Sequence, residues 1–195
     1  MVHPLAGRWN HNAHHYPRLR AALPDAATHV LDIGCGDGTL SRWLAAPGRQ
    51  VVGLDADASV LPDGAAGVAY VAGSANSLPF GDGRFDAVTM VAVLHHVDAG
   101  RGLGEAARVL APGGLLQVIG LGRYGGLRDV PHEVRDVLTH QVMSRRATWW
   151  EPPTHRADPP DTWATSRRTA ESVLPGAGFR RVALWRYLMT WRKPL

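Results

Sequence analysis

The 195-residue sequence contains a single cysteine, Cys35, and a single lysine, Lys193. One thiol excludes an internal disulfide framework and makes a reducing cytoplasm the expected compartment. No apolar run approaches the roughly 20 residues of a membrane span, and the N-terminus lacks the apolar centre of a signal peptide, so no membrane association is expected. A dense basic stripe is missing too. The formal charge is +4 and the pI about 9.8, yet the arginines are scattered apart from pairs at Arg145–Arg146, Arg167–Arg168 and Arg180–Arg181. That pattern reads as a solvated surface, and no nucleic-acid partner is expected. With 45% hydrophobic and 19% charged residues, the composition excludes disorder, and the length suits one domain.

What is present is an alternation of strands and helices. Residues 28–33, 50–54, 68–72, 85–91 and 115–121 are short apolar runs, continuous enough to be covered on both faces of a sheet. Residues 39–46 and 102–110 repeat apolar positions at helical spacing, with Pro-Gly punctuation after each. The succession predicts a parallel sheet with right-handed crossovers. Beyond it, Glu133, Val134, Val137, Leu138, Gln141 and Val142 mark an amphipathic helix, and 149–163 form a loop rich in proline and tryptophan. Residues 179–193 read as two short strands around Trp185–Arg186–Tyr187. The middle segment is expected over the sheet's carboxyl edge, where such sheets bind ligands.

The densest local signal is Val30-Leu-Asp-Ile-Gly-Cys-Gly-Asp-Gly-Thr-Leu40. Gly34, Gly36 and Gly38 stand where the first strand turns into the first helix, and glycine lets the chain take unusual torsions and approach a ligand closely. The dinucleotide fingerprint G-x-G-x-x-G does not fit, because its third place falls on Thr39. Asp55 ends the second strand, where a carboxylate can accept bonds from both hydroxyls of a ribose. Further on stand Gly73-Ser-Ala-Asn-Ser-Leu-Pro-Phe80, then Phe85 to Val97 with a His-His pair, then Leu110-Ala-Pro-Gly-Gly-Leu-Leu116.

Taken together, these segments from about Val30 to Leu121 resemble the class I S-adenosylmethionine-dependent methyltransferases of the type-11 kind. The resemblance implies a Rossmann-like α/β fold: a seven-stranded, mostly parallel sheet with an antiparallel last strand and a helical or loop lid. It divides one domain into an N-terminal cap (1–27), a cofactor-binding core (28–122), a lid and acceptor insertion (123–170) and C-terminal strands (171–195). It implies S-adenosyl-L-methionine as cofactor, with Asp32 toward its amino group and Asp55 and Ala56 at its ribose. Gly34, Cys35, Gly36, Gly38, Ser74, Ala75, Val91 and Tyr16 complete the expected cofactor set. The family usually has Asp at the Ser74 position; a hydroxyl accepts a bond without charge assistance, and Asn76 is a candidate to share the task.

Methyl transfer is an in-line displacement in which positioning can supply much of the rate, so a base is needed only if the acceptor must lose a proton. His95 and His96 are candidate bases or acceptor-orienting groups, or else tie their loop to the backbone. His11 and His15 share a face if their segment is helical, but no third ligand accompanies them and no metal is expected. Tyr16 and His15 are placed over cofactor or acceptor, Arg123 and Tyr124 in the acceptor pocket, and Trp149 and Trp150 in the lid. Trp185, Tyr187 and Trp191 are expected to pack against a helix. Asp158-Pro-Pro-Asp161 fails as an amino-methylating nucleic-acid motif: it follows the wrong strand and lacks the aromatic. The expected activity is methyl transfer to a small-molecule acceptor at O, N or C. Alternatives are a non-catalytic cofactor-binding or partner protein on the same fold, and a protein or RNA methyltransferase.

Overall fold

The computed structural model describes residue 5 and residues 7–64, 67–152 and 157–195. In chain order the elements are β1 (Arg8–Trp9), α1 (Tyr16–Ala22), β2 (His29–Ile33), α2 (Thr39–Leu44), β3 (Gln50–Asp55) and β4 (Val68–Ala72). They continue with β5 (Phe85–Val91), α3 (Ala99–Val109), β6 (Leu110–Leu121), α4 (Val130–Arg146) and β7 (Thr148–Trp149). The chain ends with α5 (Trp163–Val173), β8 (Gly178–Val182) and β9 (Arg186–Arg192).

Seven strands form one sheet in the order β4-β3-β2-β5-β6-β9-β8. The first five of these run parallel, and β9 is antiparallel to both β6 and β8. Period-two alternation assigns each strand's side chains to two cores. Leu31, Ile33, Val88, Met90, Leu116 and Val118 face α3 and α5. Val30, Ala87, Leu115, Ile119 and Leu188 face α1 and α2. The strand order reverses between β2 and β5, so a crevice opens there at the carboxyl ends.

Four local features differ from the sequence expectation. Asp98 caps Arg101 N, so α3 starts at Ala99 rather than at 102. β6 begins at Leu110, with the Pro112-Gly113-Gly114 turn absorbed as an irregularity opposite Phe85 and Ala87. Trp149, expected to open a loop, instead pairs with Trp9, as Thr148 does with Arg8, in a parallel two-residue ladder. The α4 helix exists, but Val134, Val137, Leu138 and Val142 are exposed and its buried residue is Asp136. The reason is polar. The β8–β9 turn has two left-handed residues, Leu184 and Trp185, and their N–H groups donate to Asp136 at 3.1 and 3.0 Å. Trp185 Nε1 adds a bond to Glu133 at 2.7 Å, so α4 must turn its acidic face inward.

Candidate active site

The glycine loop is stitched to the neighbouring strand: the N–H groups of Gly34 and Cys35 both donate to the Leu54 carbonyl, at 2.7 and 3.0 Å. Gly34 (φ +69°) could carry no side chain, because a Cβ would lie 2.2 Å from Val93 Cγ2. Gly36 N donates to Asp55 Oδ2 at 2.8 Å, and Asp55 Oδ1 accepts from Asp57 N at 3.0 Å. The carboxylate is therefore held at the end of β3, facing the loop. Beneath the loop Asp32 is fully buried and accepts from Ser41 Oγ (2.6 Å) and Thr89 Oγ1 (3.0 Å). Burial pushes its carboxyl up to about 6, against those two hydroxyl bonds. The Cys35 thiol is also pushed up by burial, beside the negative charges of Asp32 and Asp55, which makes it inert.

The loop after β4 is fixed by α3. Arg108 forms a two-pronged contact with Glu105 and donates to the carbonyls of Phe80 (2.8 Å) and Leu78 (3.1 Å). Glu105 Oε2 accepts from Leu78 N at 2.8 Å. Ser74 is exposed, and its Oγ accepts from Asn76 N at 3.2 Å. The Asn76 side-chain oxygen lies under α3 beside Gly102, away from the crevice. After β5, Ala92 has φ +57°, an uncommon torsion for a residue with a Cβ. This sharp exit lays Val93 across Gly34 and begins the turn carrying His95 and His96.

The His95 and His96 rings lie with centroids 4.0 Å apart, tilted by 40°. Burial, the His96 ring and the Arg186 charge lower His95 to about 4, so it is a neutral imidazole at pH 7. Its Nδ1 is buried, with no hydrogen-bond partner among the described residues.

These parts enclose a cavity of about 620 Å³, within the roughly 300–1,000 Å³ usual for small-molecule sites. Tyr16, Asp32, Gly34, Cys35, Gly36, Asp55 and Ala56 line one side of it. Ser74, Ala75, Val91, His95, His96 and Trp150 also line it. Five expected residues do not. Gly38 (φ +70°) is pressed by Tyr70, whose Oη would sit 2.2 Å from a Cβ there. His15 is buried, donating from Nε2 to the Ala183 carbonyl at 3.1 Å. Arg123 and Tyr124 are exposed, and Arg123 N joins the Asp161 carbonyl at 2.8 Å. Trp149 is exposed and sits edge-on to Trp9, 5.2 Å between centroids. Tyr187 stacks on Phe179 at 4.5 Å, next to Trp163. His11 Nε2 and His140 Nδ1 share a hydrogen bond of 2.9 Å, and no metal-binding cluster is found among the described residues.

The cavity also recruits residues that sequence reasoning gave no role: Asn10, Asn12, Asp57, Glu151, Asp158 and Arg186. Asn10 Oδ1 accepts from the N–H groups of Asn12 (2.9 Å) and Ala13 (2.7 Å), which folds the N-terminal segment over the crevice. The available signal for Arg186 was an arginine inside an apolar strand, Leu184-Trp-Arg-Tyr-Leu-Met189.

Comparison with known proteins agrees with this geometry. Residues 31–118 match the family described as a methyltransferase domain. An uncharacterized methyltransferase of Mycobacterium tuberculosis (strain ATCC 25618 / H37Rv) is 31% identical over 193 residues, covering 96% of this chain and 98% of the relative. A demethylmenaquinone methyltransferase of Beutenbergia cavernae is 45% identical over 93 residues, 46% of this chain and 39% of that protein. The crystal structure of an S-adenosylmethionine-dependent methyltransferase from Methanosarcina mazei superposes with a TM-score of 0.61 at 21% identity, over 92% of this chain and 98% of the other. The last likeness concerns the fold alone, but identity along the whole chain reaches further: this protein belongs to the class I S-adenosylmethionine-dependent methyltransferases.

Proposed function

We propose that the protein transfers the methyl group of S-adenosylmethionine to a small organic acceptor in the cytoplasm. The observation that carries the reading is the continuity of one cavity from Asp55, through the glycine loop, to His95 and Arg186. The donor set fits the cofactor. Each Asp55 oxygen accepts one N–H bond and keeps a lone pair for a hydroxyl donor. Asp32, Gly34, Gly36, Ala75 and Tyr16 surround the adjoining space. When bound, S-adenosylmethionine supplies a sulfonium-activated methyl group.

The protein's own contribution is mainly positioning, which requires no strong base. His95 lines the cavity as a neutral imidazole, and its ring can hold or take an acceptor's proton. A base held near 4 is weak, and its share of the rate is correspondingly modest. Acceptor choice falls to the wall beyond it, formed by Leu121, Trp150 and Arg186. The partial match to a demethylmenaquinone methyltransferase is consistent with an organic acceptor.

The test is incubation with methyl-labelled S-adenosylmethionine and a cell extract separated into low-mass, protein and RNA fractions. Label in the low-mass fraction is the expected result. Label in protein or RNA would overturn the small-molecule reading, and no label from folded protein would favour a non-catalytic role.

A further inference from the structure

Arg186 opens β9 opposite Leu121, at the carboxyl end of β6. The residue is buried, 8% exposed, and a guanidinium in that position is costly unless its charge is matched. Its bonds are incomplete. Nε donates to Asn12 Oδ1 at 2.8 Å, and Nη1 donates to the carbonyls of Leu184 (3.2 Å) and Trp185 (3.3 Å). Nη2 meets no acceptor among the described residues, and no carboxylate among them lies within ion-pair distance. Asp136, whose charge reaches Arg186, is spent on Arg135 and on the N–H groups of Leu184 and Trp185.

The rest of the cavity wall carries the opposite sign. Asp32, Asp37, Asp55, Asp57, Glu151 and Asp158 line it, and Arg186 is the only arginine or lysine among its described lining residues. A wall of carboxylates suits a cationic cofactor and repels an anion everywhere except at Arg186. The guanidinium also stands on the β6–β9 side of the switch point, whereas the glycine loop and Asp55 stand on the β2–β3 side. His95 lines the same cavity, close enough for the Arg186 charge to act on its ring.

We propose that Arg186 recognises the acceptor, which is an organic acid whose carboxylate docks on Nη2 beside His95. The proposal rests on the methyl-transfer reading and names the acceptor class for it.

The test uses two matched pairs of probes, benzoate with benzamide and 2-naphthoate with 2-naphthamide. Each is titrated into the full-length protein saturated with S-adenosylhomocysteine. Carboxylates are expected to bind at least tenfold tighter than their amides. Arg186→Met should abolish that preference while the affinity for S-adenosylhomocysteine stays within threefold. Equal binding of acid and amide to the wild type, or absence of binding by both acids, would overturn the proposal. So would a loss of S-adenosylhomocysteine affinity in folded Arg186→Met, which would assign the guanidinium to the cofactor's own carboxylate. If the variant does not fold, phenylglyoxal labelling of wild type replaces it: the acids, and not the amides, should protect Arg186, and lack of protection contradicts the claim. Failure of S-adenosylhomocysteine to bind wild type would count against the methyl-transfer reading instead, since the acid preference can then be measured without it.

Discussion

At Gly34 two constraints coincide: a φ of +69° and a Cβ position 2.2 Å from Val93 Cγ2. The torsion alone costs a non-glycine residue roughly 1–2 kcal/mol, and the contact must push back the turn that carries His95. Gly34→Ala is therefore expected to lower Tm by about 5 °C or more and to remove S-adenosylhomocysteine binding, both readable in one thermal-shift titration. Unchanged Tm and affinity would mean that the loop yields. For His95, replacement by Asn should leave S-adenosylhomocysteine affinity within threefold and lower turnover by about 10- to 100-fold, at or below the roughly 100-fold low end for acid–base groups because its base is weak. At this scale the motif-bearing residues were legible, since Asp55, Gly34 and Gly36 stand where their spacing put them, lining one cavity. Gly38 shows the limit. It occupies a motif position, but its missing Cβ makes room for Tyr70, a contact between residues 32 apart that no local pattern reveals.

Helix α3 acts on the site from a distance. Its Arg108 satisfies the Leu78 and Phe80 carbonyls while paired to Glu105, and so fixes the loop that begins at Ser74. Arg108→Met should leave those carbonyls and Glu105 without their partner, destabilise the fold by about 1–3 kcal/mol and weaken S-adenosylhomocysteine binding several-fold. Calorimetric titration and a urea melt would check both parts, and normal affinity would show that the loop holds its shape alone. Helix α4 illustrates why periodicity misleads. Its apolar positions predicted burial of Val134, Val137 and Leu138, yet those face outward because Asp136 and Glu133 must reach the β8–β9 turn. Asp136→Ala would strand the buried Leu184 N–H and the half-buried Trp185 N–H at a cost of about 1–3 kcal/mol each, and should misplace Arg186 next to them; a urea melt reads the loss. The need of a distant hairpin for acceptors is absent from the helix's own sequence. The strands of the parallel sheet were legible for the opposite reason: both faces are covered, so each reads as a continuous apolar run.

The whole molecule carries a pH signature set by burial. His11 and His15 are lowered to about 3 and His95 to about 4, in each case chiefly by burial. Asp32 is raised to about 6, also by burial. A histidine lowered in the folded state gives stability that is complete above its unfolded value near 6.5 and is lost as pH falls toward 3–4. Asp32 works in the other sense, since its stabilisation is present below its unfolded value of 3.8 and is lost as pH rises through 6. Three histidines outweigh one aspartate, so unfolding near pH 5 should take up about two protons net. Urea melts between pH 7 and 4 should show stability falling steadily with acid; a flat or rising profile would contradict the burial of these rings. At this scale the seven-stranded, mostly parallel sheet with its antiparallel end was legible through the motifs. An N-terminal cap was expected, but the closure made by Asn10, Asn12 and Arg186 meeting from opposite ends of the chain was not.

The central claim is that this cavity holds S-adenosylmethionine through Asp55. Calorimetric titration of wild type and Asp55→Ala with S-adenosylhomocysteine tests it most directly. Micromolar binding that Asp55→Ala weakens by about tenfold or more, about 1.4 kcal/mol, is the predicted result. Folded wild-type protein that binds neither S-adenosylhomocysteine nor S-adenosylmethionine, or an Asp55→Ala variant that binds as tightly as wild type, would contradict it.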